Sequence, residues 1–164
     1  MVRGLVRVVL FVSLCLTQLC GQSVEYNSMV AAGAAYNRYA SPQINGWLSY
    51  VKRITTSKPI FSYSTYDITS VKQTPFTVQT SLRTGVLYVV VEFGKVKVFE
   101  FGDVGMAVAS VMSGTNVGAA YSGGGGFTYE LGKGWHTVVV IRELKTSLSD
   151  RQTVVEGGFG WASK

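Results

Sequence analysis

The chain has 164 residues, with 15 Lys and Arg, 9 Asp and Glu, one His and a formal net charge of +6. That length suits one domain. Only 15% of residues are charged and 47% are hydrophobic, against a usual charged fraction near ~25%, and the scattered single basic residues form no nucleic-acid-binding run, so no nucleic-acid partner is expected.

The first 21 residues, MVRGLVRVVLFVSLCLTQLCG, have the grammar of a secretory signal peptide. Arg3 and Arg7 make a basic start, Val8 to Leu19 an apolar run, and Leu19 and Gly21 suit a cleavage site. The run is short for a membrane-spanning helix. Both cysteines, Cys15 and Cys20, lie in this segment. The remaining domain, residues 22–164, is expected to hold no disulfide, thiolate metal site or Cys nucleophile. Removing Arg3 and Arg7 from the 15 basic residues leaves 13 against 9 acidic, a net charge of +4. No later stretch reaches the roughly 18 apolar residues of a spanning helix.

After residue 21 the chain reads as β-like runs separated by turn residues. The first, Ser28–Asn37, contains the Ala-rich stretch MVAAGAAY. Ala favours a helix, but Gly33 and the following Pro42 argue for a strand. The others are expected at Gly46–Thr55, Ile60–Ile68, Val78–Phe93, Val96–Met112, Asn116–Leu131, Trp135–Thr146 and Gln152–Trp161. Turns fall at residues 39–43, 56–59, 69–75, 94–95, 113–115, 132–134 and 147–150, where Gly, Pro, Ser or Asp suit reversals. Eight strands joined next to next describe an antiparallel up-and-down β-barrel. Several runs reach ten residues, the length of a membrane-crossing strand rather than the ~5–6 of a globular one.

The sixth run, NVGAAYSGGGGFTYEL, holds four consecutive glycines. Its odd positions carry Val117, Tyr121, Phe127, Tyr129 and Leu131, and its even positions small groups and Glu130. A wet outer face would carry charge, so the small face reads as lining a crowded lumen and the large face as meeting lipid. The last run repeats this, with Val155, Gly157, Phe159 and Trp161 against Val154, Glu156, Gly158 and Gly160. Aromatics gather at strand ends as interfacial girdles would: Tyr36, Tyr39, Trp47, Phe61, Tyr63, Phe93, Tyr129, Trp135, Phe159 and Trp161. The outward, lipid-facing or interfacial set is therefore expected to include Tyr121, Phe127, Tyr129, Trp135, Phe159 and Trp161.

These features resemble the small eight-stranded bacterial outer-membrane barrels of the OmpA and OmpX type. The likeness spans nearly all of residues 22–164 and rests on the leader, the strand count, the Gly–aromatic alternation and the closing Phe159-Gly160-Trp161. Members usually finish on a terminal aromatic read by the barrel-insertion machinery, whereas here Ala162-Ser163-Lys164 follow Trp161. The resemblance implies an outer-membrane location, lipid and the insertion machinery as partners, and a structural, adhesive or surface-interaction role.

Charged residues inside strands are the candidate site. Arg83, Glu130, Arg142 and Glu156 are expected to form a lumen charge network, with Arg142 between the two glutamates. Glu100 and Asp103 have opposite parity, so both can point inward only across a bulge. His136, at a short turn, reads as a surface or interfacial residue, because no Ser or acid adjoins it in sequence. The glycine run lacks the Lys-Ser/Thr and helix of a phosphate loop, and no cluster has metal-ligand spacing. No catalytic residue, cofactor or metal is expected. Two other readings stand beside this one: a secreted or periplasmic soluble barrel carrying a small apolar ligand, and an outer-membrane lipid-modifying enzyme.

Overall fold

The computed structural model describes residues 26–37, 45–55, 57–71, 77–111 and 114–163. The leader expected at residues 1–21 and the turn expected at residues 39–43 lie outside the described residues. Eight antiparallel strands follow in order: β1 Ser28–Asn37, β2 Asn45–Arg53, β3 Ile60–Val71, β4 Thr77–Phe93, β5 Val96–Val111, β6 Gly114–Gly132, β7 Trp135–Thr146 and β8 Ser149–Ser163. Each pairs with its sequence neighbour, and β1 closes on β8 to complete the barrel. The start of β1, the end of β8 and the β2–β3, β4–β5 and β6–β7 turns share one end of the barrel, and the other connections share the opposite end.

The strands run past several expected boundaries. β3 continues through Thr69, Ser70 and Val71, which pair with Gln79, Val78 and Thr77. β8 begins at Ser149, paired with Thr146. Ladder hydrogen bonds there outweigh the turn preference of Ser and Asp, because a strand inside a closed barrel always has a partner on each side.

Ladder partners carry Ala162 of β8 through Met29, Val51, Tyr63, Gly85, Asp103, Ser122 and Leu144 to Gln152. One circuit thus returns ten residues along the starting strand. Strand number and stagger together set a tilted wall whose interior side chains just fill.

The inner face is odd-numbered on β1, β2, β3 and β5 and even-numbered on β6, β7 and β8, as alternate burial shows. On β4 the odd positions Ser81, Arg83, Leu87 and Val89 are buried. A register shift between Val89 and Val91 then reverses the parity, and Glu92 turns inward opposite Lys97.

Inside, the half of the barrel nearer the start of β1 and the end of β8 holds an apolar core, with the Lys97–Glu92 pair and His136 buried beside it. Tyr26, Met29, Phe61, Val89, Phe99, Val138, Val140 and Ala162 belong to one buried cluster. Trp47, Phe61 and Tyr63, expected in the girdles, are instead buried in this core. Each lies on the inner parity of its strand, which overrides its position near a strand end. Outside, the wall is apolar all round, with Leu48, Leu82, Val104, Met106, Val117 and Ile141 among its exposed side chains.

The glycine run divides between the two faces. A Cβ on inward Gly124 would lie 2.2 Å from the Ile141 carbonyl oxygen, and one on Gly126 2.2 Å from that of Val139. These positions therefore let β6 and β7 approach closely where the wall coils. Gly123 and Gly125 share the outward parity of Tyr121 and Phe127, so half of the run has nothing to do with lumen crowding.

Candidate functional site in the barrel lumen

Near the middle of the barrel six consecutive strands send polar groups to one point. Arg83 on β4 donates from Nε to Asp103 Oδ1 at 3.1 Å and from Nη1 to Ser81 Oγ at 2.5 Å, and its Nη2 lies 2.5 Å from Asp67 Oδ2. Ser81 Oγ donates to Asp67 Oδ2 at 2.9 Å. Asp103 Oδ1 also accepts from the Ser122 backbone N–H at 3.0 Å and the Ser122 hydroxyl at 2.6 Å.

Arg142 on β7 forms the second half. Its Nη2 donates to Glu156 Oε2 at 2.5 Å and to Tyr63 Oη at 3.1 Å. Its Nη1 stands 4.0 Å from both Asp67 Oδ2 and Asp103 Oδ2, and its guanidinium carbon lies 5.4 Å from the Phe101 ring centre. Arg83, Arg142 and Glu156 are 1–2% exposed, so their charges depend on one another rather than on water.

Local backbone explains how such large groups fit. Arg83 faces Gly105 across the ladder, Asp103 faces Gly85, and Arg142 faces Gly124. An added Cβ on any of these glycines would come within 2.6–2.8 Å of the Cα opposite. Each of these three charged residues thus has a bare inward partner in its own ladder.

The expected network is therefore brought together in part. Arg83, Arg142 and Glu156 meet, but Glu130 does not join them. It lies opposite His136, whereas Arg142 lies opposite Gly124. Six residues along β6 separate the two levels, about 20 Å of strand. Glu130 shares the inner parity of its strand, and parity alone cannot report height along the barrel. In its place the structure supplies Asp67 and Asp103. Asp103 points inward and Glu100 lies on the outward parity, so no bulge is needed between them.

His136 differs from expectation as well. It is 3% exposed, not a surface residue. It shares the inward parity of Val138 and Val140, and its ring meets Tyr26 edge-on at 5.8 Å. Its Nδ1 is buried without a hydrogen-bond partner among the described residues. Tyr26 precedes β1 and fills the mouth near the chain ends, tilted on Phe61 at 5.5 Å and with Lys97 Nζ 5.2 Å from its ring centre. Burial, and then the nearby Glu92 carboxylate, hold the Tyr26 phenol well above its ordinary pKa. Lys97 is itself paired to Glu92 at 2.6 Å.

Toward the other mouth the charge cluster meets a small cavity of about 20 Å³ lined by Asn45, Asp67, Thr69, Arg142, Gln152 and Glu156. That volume holds about one water. Among the described residues no group of three His, Cys, Asp or Glu could hold a metal ion. The six aromatics expected outside, Tyr121, Phe127, Tyr129, Trp135, Phe159 and Trp161, are all on the outer face, 42–60% exposed.

No protein-family model matches the chain, and no curated protein matches it in sequence. Solved structures do match. Neisserial surface protein A (NspA) superposes with a TM-score of 0.63 at 15% identity, over 83% of this chain and 95% of that one. The fold is that of the small eight-stranded outer-membrane barrels. Ail, the attachment invasion locus protein of Yersinia pestis, matches with a TM-score of 0.54 at 12% identity, over 85% and 99% of the two chains. The N-terminal β-barrel domain of Pseudomonas aeruginosa OprF matches with a TM-score of 0.51 at 15% identity, over 84% and 98%. The outer-membrane barrel architecture is thus shared while the sequences are not.

Proposed function

We propose that the chain is exported to an outer membrane, spans it as a barrel with a plugged lumen, and serves a structural or surface-interaction role without catalysing a reaction. The observation that carries this reading is the pairing of an apolar outer wall with a lumen crossed by the Arg83–Asp103 and Arg142–Glu156 contacts. An exposed apolar surface of that extent is unfavourable in water and favourable in a bilayer. Eight strands leave an interior that side chains fill, which argues against a general pore. The surface and attachment roles named for NspA and Ail support an outward-looking function for the connections at the end away from the termini.

The test is fractionation joined to surface labelling. An epitope inserted between Val71 and Thr77 is expected to be reached by antibody on intact cells, with the protein recovered only in detergent from the outer membrane. Recovery in the aqueous periplasmic fraction would replace this reading with that of a soluble ligand-binding barrel. Lipid hydrolysis by the purified folded protein, lost in His136→Ala, would replace it with that of a lipid-modifying enzyme.

A further inference from the structure

Outward Gly125 lies in a depression of the outer wall. Along β5, β6 and β7 the outward ladder row Val98, Phe127, Val139 is large, and the next row toward the far mouth has Gly125 with Ile141 beside it. Together with Tyr129 these residues border a groove of about 790 Å³. Small-molecule clefts span roughly 300–1,000 Å³. The groove's lining carries no charged side chain. A Cβ on Gly125 would stand 3.0 Å from the Phe99 carbonyl oxygen and 3.7 Å from Glu100 Cγ, so filling this position requires the wall to give by a few tenths of an ångström.

Past the groove's end at Val96, Tyr129 and Thr137 lie the β4–β5 and β6–β7 turns, Lys95 directly before Val96 and Lys133 four residues after Tyr129. Lys95 and Lys133 are exposed at the tips of the two adjoining turns. The turns are joined, since the Glu130 N–H donates to the Lys95 carbonyl oxygen at 2.9 Å. Lys133 is held at φ 53°, and Gly132 and Gly134 flank it at positive φ, which fixes a tight turn beside the β4–β5 turn. The nearby carboxylates face elsewhere: Glu92 is paired to Lys97 inside the barrel, and Glu130 is on the inner parity. Glu100 lies in the Gly125 row, at the end of the groove away from the lysines.

We propose that this groove seats one acyl chain of an anionic phospholipid from the inner leaflet of the outer membrane, with its phosphate held by Lys95 and Lys133. The proposal rests on the outer-membrane reading above. An apolar trough ending at two cations matches a lipid that is apolar along its chains and anionic at its head.

The experiment reads the fluorescence of Trp135, which is outward and two residues before Thr137 of the groove wall. A Trp161→Phe background leaves Trp135 as the lipid-facing tryptophan, since Trp47 is buried. The full domain is folded into vesicles carrying either brominated-chain phosphatidylglycerol or brominated-chain phosphatidylcholine. About fivefold to thirtyfold tighter association of the anionic lipid is expected, from roughly 1 kcal/mol for each of one or two lysines near the surface. Lys95→Gln combined with Lys133→Asn is expected to bring the ratio to about one, Asn being tolerant of that turn's backbone. Thr137→Leu, which fills the trough, is expected to lower it with both lysines in place.

Equal quenching by the two lipids, or a preference that survives the lysine variant, overturns the site. Loss with the lysine variant but none with Thr137→Leu overturns the acyl-chain seat. Absence of quenching by either lipid instead overturns the membrane reading on which the proposal rests.

Discussion

Replacing Arg142 with Met removes the cation that faces three carboxylates in the lumen. At an effective dielectric of about 20, a 2.5 Å contact with Glu156 attracts by roughly 7 kcal/mol, and each 4.0 Å contact with Asp67 and Asp103 by about 4. Desolvation offsets much of this attraction, and a stranded carboxylate can take up a proton, so the net loss is expected at about 3–5 kcal/mol. Glu156→Gln leaves Arg142 near Asp67, Asp103 and Tyr63 and is expected to cost less. The double variant Arg142→Met/Glu156→Gln should then cost clearly less than the sum of the singles, by about 1–3 kcal/mol. Glu130→Gln, one hairpin end away, should add to Arg142→Met within ~0.5 kcal/mol. Urea titration of folding in detergent micelles or vesicles, followed by mobility on an unheated gel, measures the wild type, the three single variants and the two double variants. Additivity between Arg142 and Glu156, or coupling between Arg142 and Glu130, would refute this description of the lumen.

Three further outcomes test the wall and the floor of the barrel. Gly124→Ala should destabilise by about 3 kcal/mol or more, since its Cβ would meet backbone at 2.2 Å, while outward Gly157→Ala, with nothing within 4 Å, should be close to neutral in the same titration. Phe127→Arg should weaken folding into bilayers by roughly 2–4 kcal/mol if the residue lies near the midplane, and refolding yield in lipid vesicles reads this directly. His136→Ala should lower stability by about 1–3 kcal/mol, because a buried ring packed on Tyr26 is lost. A wild-type melting curve in that variant would mean that Tyr26 does not seat on it.

Period-two patterning made the faces of β6 and β8 legible, and with them the outward aromatics and the inward Glu156. Arg142 was legible for the same reason, sharing parity with Val138 and Val140. His136 shares that parity too. Reading it as a surface residue gave its closeness to a turn more weight than its face. Asp67 and Asp103 were not assigned to the network, because which acids meet depends on the ten-residue stagger, a property of the closed sheet. Glu130 and Glu156 look alike on small-residue faces, yet the stagger puts one beside His136 and the other beside Arg142. The inward turn of Glu92 depends on the register shift in β4, which a continuous run of valines does not announce. The four glycines looked like a single feature and are two, close wall contacts inside and a groove outside.

The central claim is that the outer wall meets lipid while the interior is filled. Both cysteines of the sequence, Cys15 and Cys20, precede the barrel, so single cysteines introduced into residues 22–164 can each carry one spin label. The decisive measurement is collisional relaxation of such labels in reconstituted vesicles, at Leu82, Thr84, Val86, Thr137, Val139 and Ile141 outside and Ser81, Val138 and Val140 inside. Outward labels are predicted to be relaxed strongly by oxygen and weakly by a water-soluble nickel chelate, and inward labels weakly by both. Strong relaxation of the outward labels by the chelate would contradict the account, because that wall would then be facing water.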